Sequence, residues 1–348
     1  MPNTIDWKQL TFSYTKTATI LRCTYSNGRW GEIESLTDDV IGVSSFAGAL
    51  HYSIECFEGL KAFRGKDGKV RLFRPEENAR RMQSSAEFLG MPAPSEELFI
   101  RMCKQAVREN IDFLPPYGVS ASLYLRPTLF GSNPQLGVKT AQDVTFLMLT
   151  SPVGAYTGGT LEPCNAVIAR NYDRAATYGT GRFKLGGNYA ASLCSLNIAH
   201  RQGYKATLYL DPATHTCIDE FNSSNFFAIK GNTYVTPLSD TILPSITNKS
   251  LEQLAASIRM GVERRRVPVE ELAEFDEAGE CGTAVVITPI DYIDDKPVLE
   301  TTDPARITRY SFVTEGCGPK SLRLYREITG IMYAEKPDIF GWMSEVEL

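Results

Sequence analysis

One stretch constrains this chain more than any other. Val153-Gly154-Ala155-Tyr156-Thr157-Gly158-Gly159-Thr160 carries three glycines and no hydrophobic period, so no regular element is expected to run through it. The chain has 348 residues, and at roughly 150 residues per domain each side of the break is large enough to bury its own core. The expected organisation is a first domain over residues 1–153, a linker over 154–163 and a second domain over 164–348.

Both sides mix strands and helices, which predicts an α/β fold with α+β character. In the first, strand-like residues flank Asn27-Gly28 and again Asp67-Gly68, dipeptides that favour the positive φ of tight hairpin turns. Pro75 opens a predicted helix to about Leu89, Ser95 caps another to about Asn110, and Ala121–Leu125 and Val144–Leu149 read as strands. In the second, strands are expected at Ala166–Ala169, Ala206–Leu210, Thr216–Glu220, Phe226–Ile229 and Ala284–Ile287, with helices near 188–202, 247–260 and 321–333. No repeat of 20 to 50 residues is visible. Two such halves joined by a glycine linker suggest a ligand cleft between them.

Composition removes several function classes. Apolar residues make up 43% and charged residues 22%, as in ordinary globular domains and unlike disordered or fibrous chains. With 36 Lys+Arg against 41 Asp+Glu, no positive stripe invites nucleic acid. The one basic cluster, Arg264-Arg265-Arg266, precedes Val-Pro-Val-Glu-Glu and reads as a solvated helix end beside acids. No run reaches the roughly 18 apolar residues of a membrane helix, and the first residues lack the layout of a signal peptide. A cytoplasmic location is expected. The eight cysteines are scattered without a C-x-x-C pair, beside only three histidines, which argues for reduced, mostly buried thiols and against a metal site.

The densest chemical anomaly is Gly179-Thr180-Gly181-Arg182-Phe183-Lys184-Leu185-Gly186-Gly187-Asn188-Tyr189. Glycines let backbone approach a ligand closely, and a lysine pressed among apolar and glycine neighbours loses solvation and can act as an amine nucleophile or base. Read as a string, Lys184 to Tyr189 resembles the cofactor-lysine motif of branched-chain aminotransferases, pyridoxal-phosphate (PLP) enzymes of fold type IV. The resemblance covers nearly the whole chain in order. The family's Tyr-Ser-x-x-x-Phe-Glu-Gly stands as Tyr52 to Gly59, its Leu-Phe-Arg-Pro followed by Arg as Leu72 to Pro75 and Arg81, and its Tyr-x-Arg-Pro as Tyr124 to Pro127. Beyond the break come Glu220 with Asn225, Leu243 to Thr247, and Gly282-Thr283-Ala284.

The resemblance implies a small hairpin-rich α/β domain and a larger β-barrel-like α/β domain with the cofactor between them. It implies that Lys184 is the Schiff-base amine and the shuttle of the substrate Cα proton. Glu220 would stand beside the pyridine nitrogen, supported by Asn225, and Tyr189 would hydrogen-bond the ring oxygen. Ser245, Ile246 and Thr247 at a helix start, together with Arg81 and Thr283, would bind the phosphate. Tyr124 and Arg126, two apart on one strand face, could hold a substrate carboxylate. Tyr52, Phe57 and Tyr156 would wall the branched side chain, with Thr283 and Ala284 near the substrate carboxylate.

The implied reaction is amino-group exchange between Leu, Ile or Val and 2-oxoglutarate, in a homodimer whose sites borrow residues from the partner. Alternatives of the same fold are a D-amino acid transaminase and an aminodeoxychorismate lyase. From other classes come a non-catalytic PLP-binding protein and a scaffold without cofactor. One departure stands out: where the family has glycine two residues after Glu220, this chain has Asn222, which tolerates left-handed φ.

Overall fold

The computed structural model describes residues 5–154, 161–312 and 316–348. Backbone packing divides the chain into two units. The first contains Met1–Gly159, Phe183–Gly186 and Gly330–Leu348; the second contains Thr160–Arg182 and Gly187–Thr329. The lysine segment and the last residues therefore pack with the first unit, whereas a boundary at the glycine break assigns them to the second domain. Most of the expected linker, Tyr156 included, lies outside the described residues.

The first unit comprises β1 (Ile20–Ser26), β2 (Arg29–Trp30), β3 (Glu34–Leu36), α1 (Gly48–Tyr52), β4 (Glu55–Phe57), β5 (Leu60–Arg64), β6 (Val70–Phe73), α2 (Pro75–Phe88), α3 (Glu96–Glu109), β7 (Ala121–Gly131) and β8 (Val144–Gly154). Its strands pair antiparallel in the order β6-β5-β7-β8-β1-β2, with β3 on β1 and β4 on β7. Both predicted hairpins form, Tyr25 facing Trp30 and Arg64 facing Val70. Ser95 caps α3 by accepting the Leu98 N–H at 3.1 Å, as expected of an N-cap serine.

Strand alternation sorts this sheet into two faces. Cys56, Leu60, Ala62, Leu123, Leu125, Phe146 and Met148 point into the core shared with Met82, Phe99, Met102 and Val107 of the two helices. Their neighbours Glu55, Phe57, Lys61, Tyr124 and Arg126 therefore occupy the opposite face.

The second unit comprises β9 (Cys164–Ile168), all but the first residue of α4 (Gly186–Ala191), α5 (Leu193–Arg201), β10 (Ala206–Leu210), β11 (Ile218–Phe221), β12 (Asn225–Lys230), β13 (Thr233–Pro237), α6 (Ile246–Ser257), β14 (Gly261–Arg265), β15 (Glu277–Gly282), β16 (Val286–Asp295), β17 (Thr308–Ser311) and α7 (Pro319–Met332) up to Thr329. After α7 the chain returns to the first unit, where β18 (Met343–Val346) pairs antiparallel with β6. Six strands form a closed ring, β11-β10-β9-β16-β15-β12, and the pair Glu220–Asn225 joins its two ends. Three further strands pair outside the ring, β13 with β12, β14 with β13 and β17 with β16. Apolar side chains such as Ile168, Leu208, Ile218, Phe226, Ala278 and Ile290 form one core. The barrel expected of the second half is thus present.

Three local expectations change. The single helix expected near 188–202 is interrupted at Ser192, which separates α4 from α5. The strand expected from Ala284 starts only at Val286, because Thr283, Ala284 and Val285 form the turn of a hairpin in which Gly282 faces Val286. Val286 takes φ +62 there, the left-handed position that completes a three-residue hairpin loop. The cluster Arg264-Arg265-Arg266 ends a strand, β14, rather than a helix. Its members pair with Glu252 at 2.8 Å, Glu271 at 2.6 Å and Asp211 at 3.5 Å.

Candidate active site

In the first unit the lysine segment lies along β4. The Phe57 N–H donates to the Lys184 carbonyl at 3.1 Å, Cys56 forms a bridge with Leu185, and the Lys184 N–H donates to Ser85 Oγ of α2 at 3.0 Å. Phe183 stacks on Phe88 with ring centroids 4.2 Å apart. The backbone around the lysine is thereby fixed from a strand and from a helix.

The side chains then converge. Lys184 Nζ lies 4.6 Å from the Phe57 ring centroid, and the Arg126 guanidinium carbon lies 4.9 Å from the same ring, both within cation–π range. Arg126 donates through Nε and Nη2 to the Tyr124 hydroxyl oxygen at 3.2 and 3.0 Å. Four residues singled out in the sequence, Lys184, Phe57, Tyr124 and Arg126, thus form one group in one unit.

A cleft of about 340 Å³ opens on this face, lined by Tyr124, Arg126, Leu149, Ser151 and residues from Phe12 to Thr19. Phe12 meets Tyr124 edge-on at 5.0 Å. Sequence reasoning missed this N-terminal wall, because residues 10–19 show no period and their anchor, Ser151 Oγ accepting the Thr15 N–H at 3.1 Å, lies 136 residues away.

Arg81 makes a two-pronged pair with Glu58, both contacts at 2.7 Å. Glu58 is fully buried and also accepts from Asn78 Nδ2 at 2.7 Å. Such a pair fixes the guanidinium in direction as well as place. Tyr52 stands exposed at the end of α1, where its hydroxyl donates to the Leu136 carbonyl at 2.5 Å; this contact does not involve the Lys184 group. Glu55, which no sequence argument singled out, accepts the Gly186 N–H. Burial raises its pKa, opposed by that N–H and by the Arg126 guanidinium.

In the second unit the focus is Glu220, 3% exposed. Its Oε1 accepts the Leu243 N–H at 2.8 Å and pairs with Arg174 Nη2 at 2.7 Å, while its Oε2 accepts from Asn225 Nδ2 at 2.8 Å. Burial pushes its pKa up to about 7 against the pull of the Arg174 guanidinium and the Leu243 N–H. Asn225 Oδ1 accepts from Asn248 Nδ2 at 3.1 Å, and Asn248 Oδ1 accepts from the Tyr234 hydroxyl at 2.8 Å. The carboxylate sits in a network rather than alone.

Two residues beyond Leu243, Ser245 caps α6 by accepting the Asn248 N–H at 3.2 Å. Ser245, Ile246 and Thr247 are all buried, so the first turn of this helix, at its positive dipole end, is kept from water. The hairpin turn carrying Thr283 and Ala284 is half-buried. It follows β15, whose Cys281 is the register partner of Asn225 on the adjacent strand β12. Tyr189 is half-buried on α4. Asn222 does not use left-handed φ; the turn closes instead by Phe221 N–H donating to the Ser224 carbonyl at 2.9 Å.

Arg174 is the residue most plainly missed in this unit. It lies between strands, outside any motif, yet also donates to the carbonyls of Gly181 and Thr241 at 2.7 and 2.6 Å. It therefore ties the glycine-rich loop to the Glu220 network.

The family model for amino-transferase class IV matches residues 55–293. The branched-chain-amino-acid aminotransferase of Haemophilus influenzae is 45% identical over 351 aligned positions covering 99% of both chains. That of Helicobacter pylori is 44% identical over 99% of this chain and 100% of its own. Among solved structures, the Escherichia coli branched-chain amino acid aminotransferase superposes with TM-score 0.77 at 27% identity, covering 95% of this chain and 100% of that one. The branched-chain amino acid aminotransferase of Thermobaculum terrenum, solved in its PLP form, shares the fold at TM-score 0.78 and 21% identity, over 96% of this chain and 99% of that one. The chain belongs to the class IV aminotransferases and has the fold type IV architecture of the branched-chain enzymes.

Proposed function

We propose that this chain is a PLP-dependent branched-chain-amino-acid transaminase, moving the amino group between Leu, Ile or Val and 2-oxoglutarate. The observation that carries this reading is the pairing of Lys184 and Arg126 over one phenylalanine ring. A reacting amine, an apolar wall and a carboxylate-binding guanidinium in one group suit a pocket that must accept both a branched side chain and the carboxylate of glutamate. The end-to-end likeness to enzymes bearing that name supports it.

The residues of the second unit fit the cofactor. A carboxylate held out of water next to a buried helix start is what a protonated ring nitrogen and a phosphate require. Glu220 would hold the ring nitrogen, Tyr189 the ring oxygen, and Ser245, Ile246, Thr247, Thr283 and Arg81 the phosphate. When bound, PLP supplies the electron sink that lets the substrate Cα proton leave. Lys184 Nζ would carry the cofactor and take that proton. Arg126 and Tyr124 would orient the carboxylate, while Phe57 and Tyr52, with Ala284, would exclude water around the side chain. Tyr156, assigned to the same wall, lies outside the described residues.

Purified protein given PLP, leucine and 2-oxoglutarate is expected to form glutamate, with L- but not D-substrates. A Lys184→Ala protein is expected to lose about 10³-fold or more in kcat, as when a general base is removed. Equal turnover of D-amino acids, or an active Lys184→Ala protein, would overturn the assignment.

We further infer a homodimer and a cytoplasmic location. The dimer is supported by exposed apolar side chains from two segments of the first unit: Phe46 and Leu50, with Leu136 at 78% and Val138 at 80%. Ala47 bridges Pro134, and Gln135 N–H donates to the Phe46 carbonyl at 2.8 Å, so these residues form one patch of the kind that marks interfaces. The location is supported by eight cysteines that are all free thiols, as reducing compartments favour.

A further inference from the structure

Three consecutive residues of β4 hold three consecutive residues of the lysine segment, each differently. Phe57 N–H donates to the Lys184 carbonyl and Cys56 bridges Leu185. At the third step, where Gly186 begins α4, the acceptor is the Glu55 side chain. The carboxylate lies against the glycine itself: a Cβ on Gly186 would overlap Glu55 Oε1, so a side chain there would displace the carboxylate. The carboxylate therefore continues the ladder at the point where backbone pairing ends and a helix starts.

The same carboxylate faces the substrate groups. Glu55 lies opposite Phe130 and Phe57 opposite Thr128 on β7, so alternation puts Glu55 on the face of Phe57 and Arg126. The Arg126 guanidinium stacks on Phe57 and acts on Glu55 electrostatically. Lys61, buried and facing Tyr124 across β5 and β7, adds a second cation to that face. Without an acid there, two cations would flank Tyr124, and such a pocket favours dicarboxylates over branched apolar substrates.

We propose that Glu55 is a positioning and specificity-determining residue. Its oxygen fixes the start of α4 and with it the backbone of Lys184, and its charge offsets Arg126 so that 2-oxoglutarate does not outcompete branched 2-oxo acids. The second half rests on the reading of Arg126 as the substrate-carboxylate ligand.

The test compares Glu55→Gln and Glu55→Ala holoenzymes in steady-state assays, using leucine with 2-oxoglutarate and glutamate with 4-methyl-2-oxopentanoate. Glu55→Gln keeps an oxygen for the Gly186 N–H and removes the charge. Its KM for 2-oxoglutarate and glutamate is expected to fall about three- to tenfold, and its KM for the branched partners to move less than about twofold. Glu55→Ala removes both functions, and its kcat is expected to fall about tenfold or more through misplacement of the lysine, which Glu55→Gln largely restores. If Glu55→Ala does not fold, Glu55→Asp replaces it: it retains the charge and loses reach, so kcat should fall while the KM for 2-oxoglutarate stays. Equal shifts in all KM values, a Glu55→Gln enzyme as slow as Glu55→Ala, or variants that match wild type would each overturn the proposal. A wild-type enzyme inactive on leucine would overturn the functional reading instead.

Discussion

Glu220 shows what one residue's surroundings decide. A carboxyl group closed off from water prefers its neutral form, and here burial pushes the pKa up to about 7 despite Arg174. The sign follows. A carboxyl whose folded value exceeds its unfolded value holds a proton in the folded state that the unfolded chain has already released, so folding gains stability at acid pH and loses it as pH rises toward the folded value. Without added cofactor, the wild-type melting temperature is expected to fall as pH climbs from about 4.5 to about 7, and a Glu220→Gln protein should show a smaller fall. Thermal unfolding of both proteins across that range checks it; parallel curves would mean that Glu220 does not titrate there. Glu220 was singled out because Glu220 with Asn225 matches a motif of the family that the chain resembles. Arg174, which holds its Oε1 at 2.7 Å, was not, because nothing local marks an arginine between strands as the partner of a carboxylate 46 residues later.

At the level of elements, turn chemistry and caps were read well and contacts between distant strands were not. Asn27-Gly28, Asp67-Gly68 and Ser95 each act on their immediate neighbours, and local effects of this kind survive folding. Strands β7 and β8 extend well past the apolar runs that announced them, to Gly131 and Gly154, because pairing with each other along their whole length stabilises residues whose own pattern is ambiguous. The end of β8 has a specific consequence. Gly154 N–H donates to the Thr11 carbonyl at 3.4 Å, and a Cβ at Gly154 would run into the Leu10 carbonyl oxygen. Gly154→Ala should therefore push residues 10–17 off β8 and open the cleft wall that carries Phe12. The expected outcome is a loss of about 1–3 kcal/mol in stability, the range for overpacked sites, with a higher KM for leucine and little change in kcat. Denaturant unfolding and steady-state kinetics measure both; an unchanged KM would show that the wall does not touch substrate.

For the whole molecule, the sequence announced two units and a barrel, and the barrel exists because six strands from Cys164 to Asp295 close through the single pair Glu220–Asn225. What the sequence could not announce is that Phe183–Gly186 and Gly330–Leu348 leave the second unit to pack in the first. A domain boundary drawn at a glycine break assumes that each side stays contiguous, whereas β18 joins the first sheet by pairing with Val70–Phe73, about 270 residues earlier. The second unit closes six of its strands into a ring and the first gains β18, yet the apolar patch around Phe46, Leu50, Leu136 and Val138 remains in water. Burying it against a second copy would remove apolar surface worth about 25 cal/mol per Å², before the cost of association. Two aspartates, Leu136→Asp and Val138→Asp, place charges in the middle of that patch without touching the core. Sedimentation should then shift from a dimer in the wild type toward a monomer in the double variant, with the far-ultraviolet circular dichroism unchanged. A double variant that sediments as a wild-type dimer would locate the interface elsewhere, and a wild-type monomer would remove the dimer altogether.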